Sequence, residues 1–327
     1  MASDETLMNR FYAHVASDDV EARDQRTLEA MSSSVRDLAA TRDGAAPAVR
    51  VFNPMRDSDG WASRHTVVQA CCDDMPFLVD SVLGELRQRD LGVHLLIHPQ
   101  MVVDRSQGGM TLSDREATDA DAGTVESWIY VEIDRVPDNS ARVELQDCLL
   151  SVLDDVRKAC ADWRAMRQQC LTIVDELKAG APSTVDPDTV EPTIEFLTWL
   201  EANHFTFLGY REYELIDEDG ERMLRSIPSS GLGILRAEGD EATLTKLQPR
   251  AQRTAGQTRL LSITKANSRS TVHRPVYLDY VGVRGFDDAG NVVSERRFLG
   301  LFTASAYAES VHRLPIIGGK VKQVIEE

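Results

Sequence analysis

Long apolar runs are missing from this 327-residue sequence. No stretch approaches the about 18 consecutive apolar residues that a membrane-spanning helix needs. Met1–Thr27 carries acidic residues throughout, where a signal peptide would have a basic and then an apolar stretch. We therefore expect a cytoplasmic protein that has no membrane partner.

Basic charge is also scarce. The chain has 36 Lys and Arg against 53 Asp and Glu, which gives a net charge of −17. Such a field repels phosphate backbones and anionic lipid headgroups. Nucleic acid is therefore not an expected partner.

The sequence has no complete glycine motif for binding a dinucleotide cofactor. The nearest pattern is Gly231-Leu232-Gly233, where Arg236 stands in the place of the third glycine of G-x-G-x-x-G. The glycines of Pro315–Lys320 fit a break between helices better than a reactive lysine loop. We predict no cofactor site and no catalytic residue in this segment.

Metal-ligand and disulfide patterns are lacking as well. His94 and His98 lie four residues apart in a predicted strand, which places them about 13 Å apart, too far for one ion. The cysteines are odd in number and lack metal-ligand spacing, so we expect reduced packing residues and no metal. They are Cys71, Cys72, Cys148, Cys160 and Cys170.

What is present is a β-α-β-β-α pattern over residues 65–160. A strand from His65 ends in an acidic turn, a helix follows Pro76, and a strand broken at Pro99 comes next. Glu126–Asp134 alternates, which predicts a half-buried strand, and a long helix closes the pattern. The fold class is α+β, a ferredoxin-like module. Its fourth strand comes from Val49–Phe52 or is missing.

The remaining sequence predicts the domain organisation. Residues 1–48 read as a helical arm, 49–178 as the first domain, and the Pro- and Gly-containing stretch 179–192 as a linker. Residues 193–327 read as a second, mixed α/β domain with antiparallel hairpins. Its predicted strands are Phe205–Tyr213, Arg222–Ile227, Arg259–Lys265, Val276–Phe286 and Val292–Phe302.

One candidate ligand site is the strand-to-helix turn of the first domain. Free backbone N–H groups and the positive end of the helix dipole face this turn, and an amino acid's carboxylate would suit it. The alternative is that Asp73 or Asp74 caps the helix itself. The candidate ligand-binding residues are Asp74, Met75, Pro76, Phe77 and Leu78.

A second candidate is a basic stretch in an otherwise acidic chain. Residues 265–274 gather three fixed cations and a histidine, which would suit an anionic ligand or an acidic partner surface. The alternative is a solvated connection between strands. The candidate interface residues are Lys265, Arg269, His273 and Arg274.

Four segments, in order along the chain, carry a family resemblance. They are Cys72–Val82, Phe207–Tyr213, Thr264–Arg274 and Phe298–Thr303. Together they resemble the N-terminal region of the large bacterial NAD-specific glutamate dehydrogenases. The resemblance implies ACT-like modules that precede a catalytic domain, with the second domain ACT-like or mixed and truncated at its C-terminal end.

The resemblance also implies a function. The parent enzyme would convert L-glutamate with NAD to 2-oxoglutarate and ammonia, whereas this segment would hold neither the NAD nor the substrate residues. Its implied partners are the downstream catalytic domain and other subunits of a homo-oligomer, and a small amino-acid effector is a further candidate.

One departure from the family pattern concerns the turn. Amino-acid-binding ACT modules have Asp-x-Pro-Gly there, but this chain has Asp74-Met75-Pro76-Phe77, and a phenyl ring could fill the ligand's space. Two interpretations therefore stay open. The segment is either an allosteric amino-acid sensor or a scaffold for oligomer assembly.

Overall fold

The chain folds into two compact units that each combine helices with an antiparallel sheet. The first unit is Met1–Arg157 with Thr271–Pro275, and the second is Lys158–Ser270 with Val276–Glu327. The predicted α+β class is confirmed. The computed structural model describes residues 4–106, 109–113, 115, 117, 118, 123–181, 185–218, 220–237, 239–246, 260–310 and 315.

The first unit contains a six-stranded sheet in the order β1-β2-β6-β4-β5, with β3 also on β6. Its strands are β1 (Ala48–Phe52), β2 (Thr66–Asp73), β3 (Val93–Ile97), β4 (Gln100–Asp104), β5 (Thr111–Leu112) and β6 (Thr124–Ile133). Its helices are α1 (Asp4–Phe11), α2 (Ser17–Glu21), α3 (Gln25–Ala40), α4 (Arg56–Asp59), α5 (Leu78–Gln88) and the start of α6 (Asn139–Ala179).

The predicted β-α-β-β-α order is present as β2, α5, β3 with β4, β6 and α6. β3 and β4 pair successively with β6, so they form one strand interrupted near Pro99, as predicted. β1 pairs antiparallel to β2. The sheet position left open by the sequence is therefore filled by the strand that contains Val49–Phe52.

Both faces of β6 are buried, so the prediction of a half-buried strand was wrong. Trp128 and Tyr130 lie on one face and Ile129 and Val131 on the other, and all four are inaccessible to solvent. The cause is α3, which packs on β2 and β6. Residues 1–48 thus contribute to the core of the first unit. Their buried apolar side chains include Leu7, Phe11, Leu28, Met31 and Val35.

A buried ion cluster joins α3 to this sheet. Glu126 of β6 accepts hydrogen bonds from Arg42 at 2.6 Å and from Arg105 at 2.8 Å, and the side chains of Glu126 and Arg42 are fully buried. The Trp128 indole N–H donates to the same carboxylate at 3.0 Å. Arg42 also donates to Asp73 at 3.0 Å. The carboxylate is therefore fully compensated by donors, as burial of a charge requires.

The second unit contains a seven-stranded sheet in the order β10-β8-β7-β13-β12-β11, with β9 also on β7. Its strands are β7 (Phe205–Glu218), β8 (Glu221–Ser226), β9 (Leu232–Gly233), β10 (Leu244–Lys246), β11 (Leu261–Arg269), β12 (Tyr277–Phe286) and β13 (Val292–Phe302). Besides the end of α6, its helices are α7 (Pro187–Trp199), a π-helical turn (Leu200–His204), a 3-10 turn (Pro228–Ser230) and α8 (Ala304–Ala308).

The core of the second unit lies between its sheet and the helices α6 and α7. Met166 and Cys170 of α6 and Leu197 of α7 are buried with Phe207 and Phe298 of the sheet. The five predicted strands correspond to β7, β8, β11, β12 and β13, and β13 has the predicted bounds.

The boundary between the two halves of the chain differs from the predicted one. α7 begins at Pro187, inside the predicted linker 179–192, and the division between the units at residues 157 and 158 falls within α6. Most of Pro315–Lys320, where the sequence predicts a break between helices, lies outside the described residues. In the described ranges, no helix is both long and apolar enough to cross a membrane.

All five cysteines are free thiols, as predicted. Cys71, Cys72 and Cys170 are buried among apolar side chains. Burial raises the pKa of the Cys72 and Cys170 thiols to about 12 and also raises that of Cys71. Because the thiolate is the reactive form, these residues act as packing groups.

Arg42→Met should lower the free energy of unfolding by about 3 kcal/mol, because it removes a buried partner from two carboxylates. Arg36→Met is the matched control, since Arg36 pairs with the exposed Asp37 on the same helix, and it should cost less than about 1 kcal/mol. Urea unfolding of both variants measures the difference. Equal stability of the two variants would show that the cluster does not hold α3.

Candidate functional site

The turn between β2 and α5 is held in an unusual backbone conformation. Phe77 is the N-cap residue of α5 and has φ +74°, in the left-handed region that favours glycine. No side chain caps the helix. The structure therefore puts a phenylalanine where the backbone itself calls for the glycine of the Asp-x-Pro-Gly pattern.

The two aspartates of the turn are engaged elsewhere. Asp73 pairs with Arg42, and Asp74 accepts hydrogen bonds from Ser127 at 2.5 Å and from the Gln100 side chain at 2.8 Å. The alternative in which one of them caps α5 is therefore wrong. No side chain therefore caps the N-terminus of α5, although Asp80 places one carboxylate in its first turn.

The remaining predicted ligand-binding residues differ in exposure. Leu78 is 2% exposed and points into the core, so it cannot line a ligand site. Met75 and Phe77 are half-buried, and Pro76 is exposed. Of the candidate side chains, Phe77 is the one that has an aromatic partner.

That partner is His273, which belongs to the other predicted candidate site. We refer to Thr271–Pro275 as the 271–275 segment, and it is part of the first unit. The rings of Phe77 and His273 are 4.9 Å apart between centroids. The backbone N–H of His273 donates to Ser81 Oγ at 2.9 Å, and its Nδ1 lies 3.0 Å from Asp80 Oδ2. The segment thus contacts the first turn of α5.

Two further contacts fix the 271–275 segment. The Thr271 hydroxyl donates to Asp155 at 2.8 Å. The ring of Pro275 packs against α5 at Gly84, which has no side chain: a Cβ added there would lie 3.4 Å from the ring. Val272 is 1% exposed. The segment is therefore anchored at both of its ends.

Both residues of the ring contact have positive φ angles. His273 has φ +67°, next to the +74° of Phe77. Such conformations cost on the order of 1 to 3 kcal/mol each and persist where surrounding contacts determine them. Strained residues cluster at functional sites, so this contact is the best candidate site of the described chain.

The side chains at this contact do not form a hydrolytic triad, although a serine, a histidine and an aspartate are present. The Ser81 hydroxyl donates to the Phe77 carbonyl at 2.6 Å and accepts from the backbone N–H of His273. The imidazole faces Asp80 instead. The arrangement positions two backbone segments against each other and does not activate a nucleophile.

The other candidate interface residues are dispersed. Lys265 pairs with Asp279 at 2.7 Å, and the Arg269 guanidinium lies 5.1 Å from the Tyr277 ring centre, both in the second unit. Arg274 is half-buried in the first unit. Lys265 and Arg269 are exposed. The predicted basic stretch is therefore divided between the two units.

A histidine cluster escaped the sequence analysis. The His65 and His94 rings stack 4.0 Å apart, and His94 Nε2 lies 2.7 Å from Asp134. Burial and the neighbouring His94 lower the pKa of His65, and the hydrogen bond from His94 lowers the pKa of Asp134. His98 lies apart, bonded to Ser127. Within the described residues, no group of three or more ligating side chains is placed to hold a metal.

Comparisons with known proteins agree with this fold. Residues 7–149 match the family model described as "Glutamate dehydrogenase, ACT1 domain". The chain is 37% identical over 98% of its length to an NAD-specific glutamate dehydrogenase of Halomonas elongata and 36% identical over 97% to one of Pseudomonas aeruginosa. A Mycobacterium tuberculosis protein of the same name is 27% identical over 79% of the chain.

The chain spans about a fifth of the length of the first two relatives, 20% of each, and 15% of the third. The resemblance inferred from the four sequence segments is confirmed.

Phe77→Gly should change the free energy of unfolding by less than about 1 kcal/mol, because relief of the positive φ offsets the lost ring contact. Phe77→Val should cost about 2 kcal/mol more than Phe77→Gly, since a β-branched residue is poorly accommodated at positive φ. Denaturant unfolding of both variants provides the comparison. A valine variant as stable as the glycine variant would contradict the conformational assignment.

Proposed function

We propose that this chain, whose residues 7–149 match the ACT1 domain of glutamate dehydrogenase and which is similar over most of its length to NAD-specific glutamate dehydrogenases, is a regulatory and assembly segment of such an enzyme. The segment is non-catalytic. The parent enzyme oxidatively deaminates L-glutamate to 2-oxoglutarate and ammonia with NAD, and the chemistry is carried out by residues outside this chain.

The contact between Phe77 and His273 carries this proposal. In an amino-acid-binding ACT module, the turn before the helix receives a ligand, whereas here His273 contacts the same turn through its ring and its backbone. Two strained backbone positions are maintained for this contact. That favours regulation through contacts between protein segments over an open ligand pocket.

The second unit supports the non-catalytic part of the proposal. Gly231-Leu232-Gly233 is the nearest sequence to a dinucleotide fingerprint, but its end forms β9, paired with β7, and does not open a helix. The Gly233 N–H donates to Asp162 at 2.8 Å, and Arg236 binds the same carboxylate. These backbone and side-chain groups are therefore used within the protein.

Amino-acid sensing is the second candidate function. One observation favours it: neither aspartate of the turn caps α5, so the positive end of the helix could receive a carboxylate. A ligand would have to displace the ring contact between Phe77 and His273. Of the predicted interface residues, Lys265 and Arg269 are exposed, but Lys265 is already paired with Asp279, so Arg269 is the better candidate for contacts with acidic surfaces of other subunits or of the catalytic domain.

The purified chain should form no NADH from L-glutamate and should not bind NAD. Absorbance of NADH and equilibrium binding of NAD measure the two quantities. The full-length enzyme is the positive control. Saturable NAD binding by the isolated chain would overturn the assignment of a non-catalytic segment.

His273→Gly in the full-length enzyme tests the regulatory role. Glycine keeps the positive φ and the N–H donated to Ser81, while the contacts of the ring with Phe77 and Asp80 are lost. We expect at least a twofold shift, on the order of 0.4 kcal/mol, in the glutamate concentration for half-maximal rate or in the oligomer equilibrium. His14→Ala, which removes an exposed histidine outside this contact, is the control and should match the wild type.

The same variant separates the two candidate functions. If the segment senses amino acids, His273→Gly should alter their calorimetric affinity for the isolated chain, because the ring contacts the proposed site. If contacts between segments are its role, no amino acid should bind either form. Kinetics and assembly identical to the wild type, with no amino-acid binding, would contradict both functions at this site.

A further inference from the structure

The outer strands of the two sheets are protected to different degrees. In the first sheet, the Val51 N–H of β1 is bonded to the Gln146 side chain at 3.1 Å, and β3 is bulged between Val93 and Leu95. β5, β9 and β10 have only two or three residues. β11 is the long outer strand, and no described strand pairs with its outer side.

The hydrogen-bond pattern shows which backbone groups of β11 face outward. Arg284 of β12 donates to the carbonyl of Leu260 at 2.9 Å. In an antiparallel ladder the bonded positions alternate, so Ser262 and Thr264 also face β12. The N–H and C=O groups of residues 261, 263 and 265 therefore point away from the sheet.

The side chains at these outward positions form a short apolar stripe. Ile263 pairs with the buried Val281, so it lies on the core face of the sheet, yet it is 43% exposed. Leu261 is partly buried against the same core. An added strand would continue this face and cover Ile263.

The exposed edge of β11 is short and carries little net charge. The positive charge of Lys265 is compensated by Asp279 at 2.7 Å. After Lys265 the register shifts, and pairing with β12 resumes only at Arg269. The usable edge is thus residues 261–265, which is short and nearly neutral.

We propose that β11 pairs antiparallel with β11 of a second copy of this chain, around a two-fold axis at Ile263. This inference rests on the assembly role proposed above and names its surface. Ile263 lies opposite Ile263 of the partner, and Leu261 lies opposite Lys265. Each outward residue then exchanges backbone hydrogen bonds with its opposite residue.

The register favours a second copy over an acidic strand from another protein. It puts apolar side chains at the axis and keeps the two lysines at opposite ends, so no like charges face each other. An acidic partner would gain little, because Asp279 already compensates Lys265. Five residues of edge predict a weak dimer.

Charge reversal at the axis tests the proposal with the purified chain. Ile263→Lys and Ile263→Glu each place like charges opposite each other and should weaken the dimer about tenfold or more. An equimolar mixture of the two variants should restore association, because opposite charges then meet. Sedimentation velocity from about 1 to 300 μM covers the affinities expected of a weak dimer.

Val293→Lys and Val293→Glu are the matched controls, since Val293 is 41% exposed on β13, away from this edge. They should leave the dimer unchanged. Circular dichroism establishes that each variant is folded. Ile263→Pro is a further test, because it removes an outward N–H and leaves the bonds to β12 in place.

The sedimentation results either support or contradict the proposed dimer. Association of the wild type that is lost in both variants and recovered in their mixture supports it. A monomeric wild-type chain at 300 μM, or Ile263 variants that associate like the wild type, would overturn it. Either failure leaves the regulatory role intact, since that role is tested by His273→Gly in the full-length enzyme.

Discussion

The buried carboxylate of Glu126 is the interaction on which the first unit depends. It joins β6 to Arg42, just after α3, and to Arg105, just after β4, and Arg42 also pairs with Asp73. A buried ion cluster contributes little net stability, because desolvation offsets its attraction, but losing one partner is costly. The main effect of the cluster is therefore to fix the positions of the segments that it joins. It fixes the end of β2 immediately before the candidate site.

The strain at the candidate site follows from this position. With Asp73 held by Arg42 and Asp74 by Ser127 and Gln100, the chain must turn sharply into α5, and Phe77 takes a positive φ. The ring of Phe77 then meets His273, itself at positive φ. Each strained residue is held by the contacts of the other, so the turn and the 271–275 segment form one structural element.

The sequence predicted local structure well and long-range structure poorly. Periodicity identifies the order of strands and helices because it reports which face of each element is buried. It could not show that α3 covers the second face of β6, since Glu126 and Glu132 in that strand read as solvent-facing residues. The contact between Phe77 and His273 joins residues far apart in sequence, and neither position carries the glycine that usually marks a positive φ.

Net charge constrains how such a chain can form contacts. At −17, two copies repel each other at long range, and salt screens this repulsion over about 8 to 10 Å. Short-range contacts must therefore form where charge is locally compensated. The edge of β11 meets this condition, because Asp279 compensates Lys265 and Ile263 supplies apolar area. Association through such an edge should strengthen as salt is added, whereas a contact based on attraction between Lys265 or Arg269 and acidic residues should weaken. The direction of the salt dependence thus distinguishes strand pairing from charge pairing as the force that holds the segment in an assembly.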